Sequence, residues 1–348
     1  MKLPPLISVP LSWLYGMVVH IRHKLFDLKI LRSEEFDIPV VCIGNLTVGG
    51  TGKTPVAELL IERFSEHYRV GVLSRGYRRR TKGFVLSTPT SSARTIGDEP
   101  RQMKLKYPSV PVAVCEKRAE GIRLLRKAHP EIELIILDDA FQHRYVEPWV
   151  NILLMDYNNP VYRDRLLPWG RLRDTRNQIH RANFVLVTKC PDDLNPLDMR
   201  IVINSLGLFP YQSLYFTRMR QGAVGKVREG DPVIAMSGIA NPVPLLENLR
   251  KRFDVVAELT FDDHHTYRLS DMRRLEALFA AYPDAVVLTT EKDAVKLTNR
   301  KKVPEAVQQR LYYVPIHVSF VADSESEFLR QLELYVRTNQ KYSLLHPE

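Results

Sequence analysis

Thr47-Val48-Gly49-Gly50-Thr51-Gly52-Lys53-Thr54 follows the apolar, β-branched run Val40-Val41-Cys42-Ile43 and precedes Val56-Ala57-Glu58-Leu59-Leu60-Ile61, whose apolar residues have helical spacing. Strand, glycine-rich loop and helix in that order is the setting of a phosphate-binding loop. Glycines let backbone N–H groups converge on phosphate oxygens, and the next helix N-terminus adds partial positive charge. In such a loop Lys53 reaches the β- and γ-phosphates and Thr54 holds Mg²⁺. The strict pattern has glycine where this chain has Thr47, and Gly44 lies three residues too early to replace it. A ligand-free strand-to-helix turn is the competing reading, and the flanking elements argue against it. Pro55 sits in the first helical turn, where its missing N–H is not needed.

Working outward, apolar strand patterns alternate with helical ones. Strands are expected at 40–43, 70–73, 112–115, 134–137, 150–155 and 184–188, and helices at 55–67, 100–107, 118–128 and 195–206. This alternation predicts an α/β fold, a P-loop NTPase-like, mostly parallel sheet flanked by helices, with the site at the carboxyl ends of the strands. The pattern restarts after residue 213, with strands at 213–219, 233–237, 255–260, 285–289 and 311–318, and helices at 243–253, 270–281 and 325–338. Three segments are therefore expected: 1–36 as an apolar N-terminal segment, 37–212 as the P-loop core, and 213–348 as a smaller α/β unit with linking strands.

Leu134-Ile135-Ile136-Leu137-Asp138-Asp139 is a strand ending in two carboxylates. Beside a phosphate-binding loop such a strand supplies an Mg²⁺ ligand, although an aspartate after a strand is also a common turn former. Gln142 and His143 follow and could line the same site, or equally be surface polar residues. Gly97-Asp98-Glu99-Pro100 admits two readings. Asp98 caps a helix, or it is the general base that takes the proton of an attacking hydroxyl. Phe261-Asp262-Asp263-His264-His265 lacks the spacing of a metal site and suits either a histidine that tunes a carboxylate or an ordinary polar loop. Thr188-Lys189-Cys190 is followed by Pro191, with Asp192 one place out of register for guanine recognition, which favours ATP over GTP.

The chain has 348 residues and a formal net charge of +10. That charge implies attraction to anionic surfaces. Arg75, Arg78, Arg79, Arg80 and Lys82 form one basic cluster, and Arg163, Arg165, Arg171, Arg173, Arg176 and Arg181 another; either is also compatible with a solvated face. Three dispersed cysteines without metal-ligand spacing fit a reducing compartment. No cleavable leader is expected, since Lys2 is a thin basic region and no small-residue cleavage site follows. Residues 3–19 carry no charge and include Trp13 and Tyr15, with His20, Arg22, His23 and Lys24 immediately after. The stretch is short for a membrane span and contains Pro4, Pro5 and Pro10. An interfacial helix fits its composition better, with a helix packed on the protein's own core as the alternative.

Taken in order, these segments resemble the tetraacyldisaccharide 4′-kinase family of lipid A synthesis. The resemblance rests on Ile43–Pro55, Leu73-Ser74-Arg75-Gly76-Tyr77, Gly97–Pro100 and Leu137-Asp138-Asp139-Ala140-Phe141-Gln142-His143. It continues through Leu166-Leu167-Pro168 with Gly170 and Leu172-Arg173, Phe261 with Asp263-His264, and Thr290–Lys296. Thr47 conforms to this family's loop, while Ala140 stands where the family often has glycine. The resemblance implies transfer of the γ-phosphate of ATP, with Mg²⁺, to the 4′-hydroxyl of tetraacyldisaccharide 1-phosphate, giving lipid IVA. It implies Asp98 as acid–base residue supported by His264, with Lys53 acting on the γ-phosphate. Residues 47–54 would hold the nucleotide; Thr54, Asp138, Asp139 and Glu99 the metal; and Asn45, Arg75, Tyr77, Arg118, Gln142, Arg171 and Arg173 the lipid. The expected setting is the cytoplasmic face of the inner membrane, with the lipid and a membrane surface as partners, no nucleic acid, and a monomeric chain. An ATP-dependent amide ligase and a P-loop switch remain as alternatives on the loop alone.

Overall fold

A computed structural model of the chain describes residues 4–239, 241–263, 265–297 and 303–338. Helix α1 (Pro5–Asp27) precedes β1 (Val40–Asn45), whose end leads through the glycine-rich loop into α2 (Lys53–Phe64). There follow β2 (Val70–Ser74), β3 (Val85–Leu86), α3 (Ala93–Ile96), α4 (Asp98–Lys106), β4 (Val112–Val114), α5 (Arg118–Ala128) and β5 (Leu134–Leu137). Next come β6 (Val150–Asp156), β7 (Phe184–Thr188), α6 (Pro196–Leu206) and β8 (Ser213–Gln221). A second unit holds β9 (Pro232–Ser237), α7 (Val243–Arg252), β10 (Asp254–Thr260), α8 (Leu269–Ala281), β11 (Val286–Thr290), α9 (Glu291–Leu297), α10 (Glu305–Gln309) and β12 (Leu311–Val314). The chain then returns through β13 (Ile316–Phe320) to α11 (Glu325–Thr338).

The large sheet has nine strands in the order β13-β8-β7-β6-β1-β5-β2-β4-β3. Seven of them run parallel, and β13 and β3 close the edges antiparallel. Every residue of β1, β2, β5, β6 and β7 is buried. The reason is two-sided packing: Val40 and Cys42 face one apolar layer with Ile122 and Leu125 of α5, while Val41 and Ile43 face another with Val56 and Leu60 of α2. Such strands read as continuous apolar runs, as these do. Parallel pairing of β1 with β5 and β6 brings the glycine-rich loop, Asp138-Asp139 and Asp156 to one edge.

The second sheet, β10-β9-β11-β12, is wholly parallel. It is smaller than the segment 213–348 suggests. β8 and β13 belong to the large sheet, and Phe328, Leu332 and Val336 of α11 pack into the core of the first unit. The single strand expected at 311–318 is two strands in different sheets, divided at Pro315. Proline offers no N–H to a ladder and restricts the residue before it, so a strand of ordinary composition breaks there.

α1 is amphipathic with its polarity reversed. Ser8, Ser12, His23 and Phe26 are buried against the body, whereas Leu6 is 88 % and Trp13 77 % exposed. Ile7, Leu14, Met17, Val18 and Ile21 share the exposed side. The helix therefore does not pack its apolar face on the protein's own core. Among the described residues no helix is long and apolar enough to cross a membrane.

Candidate active site

The glycine-rich loop is shaped by its glycines. Gly52 caps α2 with φ of 83°, and a Cβ there would lie 2.2 Å from Met219 Cε. Gly49 takes φ of 111°, and neither it nor Gly50 has an atom within 4 Å of where a Cβ would stand. The loop thus presents open backbone at the start of a helix, as a phosphate cradle requires. It is pinned from β7, where Thr188 Oγ1 donates to the Thr51 carbonyl at 2.9 Å. Lys189 Nζ bonds the Gly50 carbonyl and lies 2.9 Å from Asp156 Oδ2. Lys189 and Asp156 hold the loop, yet in the sequence Lys189 is visible only as part of a failed guanine signature.

Lys53 Nζ lies 3.8 Å from Asp139 Oδ1 and 3.4 Å from Asn45 Oδ1. The Arg173 guanidinium also engages both Asp139 and Asn45, with Nη1 3.3 Å from Asp139 Oδ2. Gln142 Nε2 donates to the Asn45 carbonyl. Burial pushes the Asp139 carboxyl up, but Lys53 and Arg173 outweigh it and hold the group at about 2. Its neighbour is the opposite case. Asp138 is fully buried; burial, then the charges of Glu99 and Asp139, raise it to about 7. Ser74 Oγ donates to its Oδ2 at 3.0 Å, while Oδ1 has no partner.

That orphaned carboxylate oxygen tests whether Mg²⁺ fits. It does: a buried acceptor without a donor stands within reach of the charges of Glu99, Asp139 and Lys53. No group of three or more His, Cys, Asp and Glu able to hold a metal occurs among the described residues. Mg²⁺ does not require such a group, since it takes one or two carboxylates and completes its shell with phosphate oxygens and water. Thr54, Asp138, Asp139 and Glu99 are the residues that could hold it.

Asp98 occupies the first position of α4, and the N-cap is Gly97, with no side-chain cap hydrogen bond. The helix-cap reading of Asp98 is therefore not what the structure shows. Gly97 has φ of 94°, and a Cβ there would be 3.1 Å from the Tyr77 carbonyl, so glycine brings the Arg75-Gly76-Tyr77 turn against the start of α4. Asp98 and Glu99 are half-buried, and Arg75 and Tyr77 are exposed. His264 lies outside the described residues. His265 beside it is committed structurally, stacking on Phe261 with ring centroids 4.4 Å apart and meeting Asp271 Oδ2 at 2.9 Å.

The basic clusters do not form uniform surfaces. Arg79 is turned inward onto Glu116 at 2.6 Å, and Arg181 donates to the Phe141 carbonyl at 2.8 Å. Arg171 remains exposed and pairs with Asp164 at 3.3 Å. Arg118, expected at a lipid-facing surface, is only 2 % exposed. Its Nη1 bonds the Cys115 carbonyl at 2.6 Å, while Nε and Nη2 lack partners. Burial lowers its pKa to about 10, against the pull of Asp138 and Asp139. His143 is pushed down to about 3 by burial and then by Arg118 and Arg75, and is neutral at physiological pH.

The family model described as tetraacyldisaccharide-1-P 4′-kinase (LpxK) matches residues 5–335. The chain is 44 % identical to the tetraacyldisaccharide 4′-kinase of Bacteroides thetaiotaomicron, covering 96 % of this chain and 94 % of that one. It is 43 % identical to the enzyme of the same name from Phocaeicola vulgatus, with 96 % of each chain covered. The crystal structure of LpxK from Aquifex aeolicus in complex with ATP superposes with a TM-score of 0.74 at 27 % identity, over 94 % of this chain and 98 % of that one. The chain belongs to the tetraacyldisaccharide 4′-kinase family.

Proposed function

We propose that this member of the tetraacyldisaccharide 4′-kinase family transfers the γ-phosphate of ATP to the 4′-hydroxyl of tetraacyldisaccharide 1-phosphate. The observation that carries the reading is the meeting of Lys53 with Asp139 at 3.8 Å, beside an unpartnered Asp138 oxygen and under an open glycine loop. Residues 47–54 cradle the phosphates, and Lys53 stabilises charge on the γ-phosphate as it transfers. Asp98 accepts the proton of the 4′-hydroxyl while the new O–P bond forms and the bond to the leaving ADP breaks; His264 supports it. Mg²⁺, held by Thr54 with Asp138, Asp139 and Glu99, would neutralise phosphate charge when bound. Asn45, Gln142, Arg171, Arg173, Arg75 and Tyr77 line the acceptor side, and the buried Arg118 acts from beneath, through its charge on Asp138 and Asp139.

The exposed apolar face of α1 supports attachment to the cytoplasmic face of the inner membrane. Leu6, Trp13, Leu14 and Met17 would enter one leaflet, with Lys24 and Arg32 near the headgroups. A monomer acting at a lipid surface, without nucleic acid, completes the reading. Asp98→Asn tests the chemistry. Turnover should fall about a hundredfold or more with ATP binding and thermal stability retained. Turnover like the wild type would move the base elsewhere.

A further inference from the structure

The inward face of α1 carries polar groups that reach two segments, residues 142–145 and residues 164–175, the second here termed the strap. The Tyr15 hydroxyl donates to the Arg173 carbonyl at 2.7 Å, and Ser12 Oγ to the Leu166 carbonyl at 2.9 Å. His23 Nε2 lies 2.6 Å from Asp174 Oδ1, with these side chains only 4 % and 2 % exposed. Arg144 Nη1 stands 3.1 Å from His23 Nδ1. A guanidinium can only donate, so Nδ1 accepts and Nε2 carries the hydrogen given to Asp174. The same Asp174 oxygen accepts the Thr175 N–H at 2.8 Å. Next to the strap, Arg22 Nη2 donates to the Gln142 carbonyl at 2.9 Å.

The other side of the strap is tied to the phosphate-binding loop. Arg173 N–H donates to the Leu46 carbonyl at 2.8 Å, and Val48 N–H to the Arg171 carbonyl at 2.8 Å. Thr47 bridges Leu172 in antiparallel register. Arg173 is thus held by its N–H on the end of β1 and by its carbonyl on α1, while its side chain reaches Asp139 and Asn45. Attachment of the outer face to a lipid surface needs none of these contacts. Burying hydroxyl, imidazole and carboxylate groups costs desolvation that an apolar inner face would avoid, so their use calls for a positional role.

We infer that Tyr15 and His23 are positioning residues that hold the strap, and through it Arg173, against the phosphate-binding loop. The helix then has two separable tasks, attachment by its outer face and alignment of the site by its inner face. The kinetic consequence rests on the kinase reading; the structural consequence does not.

The test compares Tyr15→Phe, His23→Leu and His23→Gln with the wild type. Turnover is measured in detergent micelles at saturating ATP and lipid, attachment by pelleting with phosphatidylethanolamine–phosphatidylglycerol vesicles, and strap mobility by amide hydrogen exchange over residues 171–175. Expected are faster exchange in Tyr15→Phe, kcat lower by about fivefold in Tyr15→Phe and about tenfold in His23→Leu, and vesicle pelleting unchanged. The KM for ATP should move less than about twofold, because the far half of the loop is held from β7 by Thr188 and Lys189. His23→Gln keeps an N–H for Asp174 and should recover most of the loss. Unchanged exchange and kcat in Tyr15→Phe would overturn the inference, as would losses of turnover that track loss from vesicles. If His23→Leu fails to fold, Tyr15→Phe decides alone. If the wild type phosphorylates no lipid, the kinase reading fails and the exchange measurement still decides the strap.

Discussion

Asp138 and Asp293 are both fully buried, each just beyond the carboxyl end of a parallel strand, and they are held in opposite ways. Asp293, in the first turn of α9, has donors on both oxygens. Its Oδ2 accepts from Gly238 N–H at 2.9 Å and Thr290 Oγ1 at 2.8 Å, and its Oδ1 meets Lys296 Nζ at 2.9 Å. Burial pushes its pKa up, but Lys296 and these donors outweigh it and leave it lowered. Asp138 has one hydroxyl donor, a free oxygen and acidic neighbours, and its pKa is raised. A buried carboxylate with both oxygens bonded is a joint between chain segments. One with lone pairs to spare and a raised pKa suits a cation. Among the described residues, Asp293 beside the small sheet is of the first kind and Asp138 beside the large sheet is of the second.

Substitution separates the two most strongly. Asp138→Asn should lower turnover by about a thousandfold and change its Mg²⁺ dependence, while the protein stays folded, because little in the structure leans on that side chain. Near-normal turnover at low Mg²⁺ would break the comparison. Asp293→Ala should do the reverse: about 3 kcal/mol lost in denaturant unfolding, as for one partner removed from a buried pair, with turnover per folded molecule within tenfold. If stability is untouched, Asp293 is not a joint.

Acidity gives the smaller, finer test. The Asp138 carboxyl is raised in the folded state from its ordinary 3.8 to about 7. Between those values the folded protein holds a proton that the unfolded chain has lost, so this group makes stability fall as pH rises through the window, by about 1 kcal/mol per pH unit in metal-free protein. Asp138→Asn should remove that slope. Asp293 has the opposite sign. Its lowered pKa contributes stability present above the unfolded value and lost as pH falls through the folded one. Identical pH profiles for metal-free wild type and Asp138→Asn would show that this carboxyl is not raised.

Much of this was legible in the sequence, for physical reasons. Strands buried on both faces announce themselves as apolar runs, and a phosphate-binding loop between strand and helix fixes its own surroundings. The order of motifs located Lys53, Asp138 and Asp139 at one edge before any geometry was known. What stayed hidden depended on long-range packing. Composition marked α1 as apolar, but not that Ser12, Tyr15 and His23 turn inward while Trp13 turns out. Nothing local distinguishes Arg181, half-buried on a backbone carbonyl, from the exposed Arg171 in the same basic stretch, or marks Arg118 as buried. Pro315 was a visible signal, and the break it makes between β12 and β13 could have been read from it.

The central claim is that the edge built around Lys53 and Asp138 transfers phosphate to a lipid hydroxyl. The most direct measurement incubates wild-type and Lys53→Ala protein with ATP, Mg²⁺ and tetraacyldisaccharide 1-phosphate in micelles and follows the γ-phosphate. The wild type should place it on the 4′-oxygen, and Lys53→Ala, although folded, should place none detectable, because the transferring group loses its main charge partner. Release of free phosphate with no phosphorylated lipid, or equal transfer by Lys53→Ala, would contradict the claim.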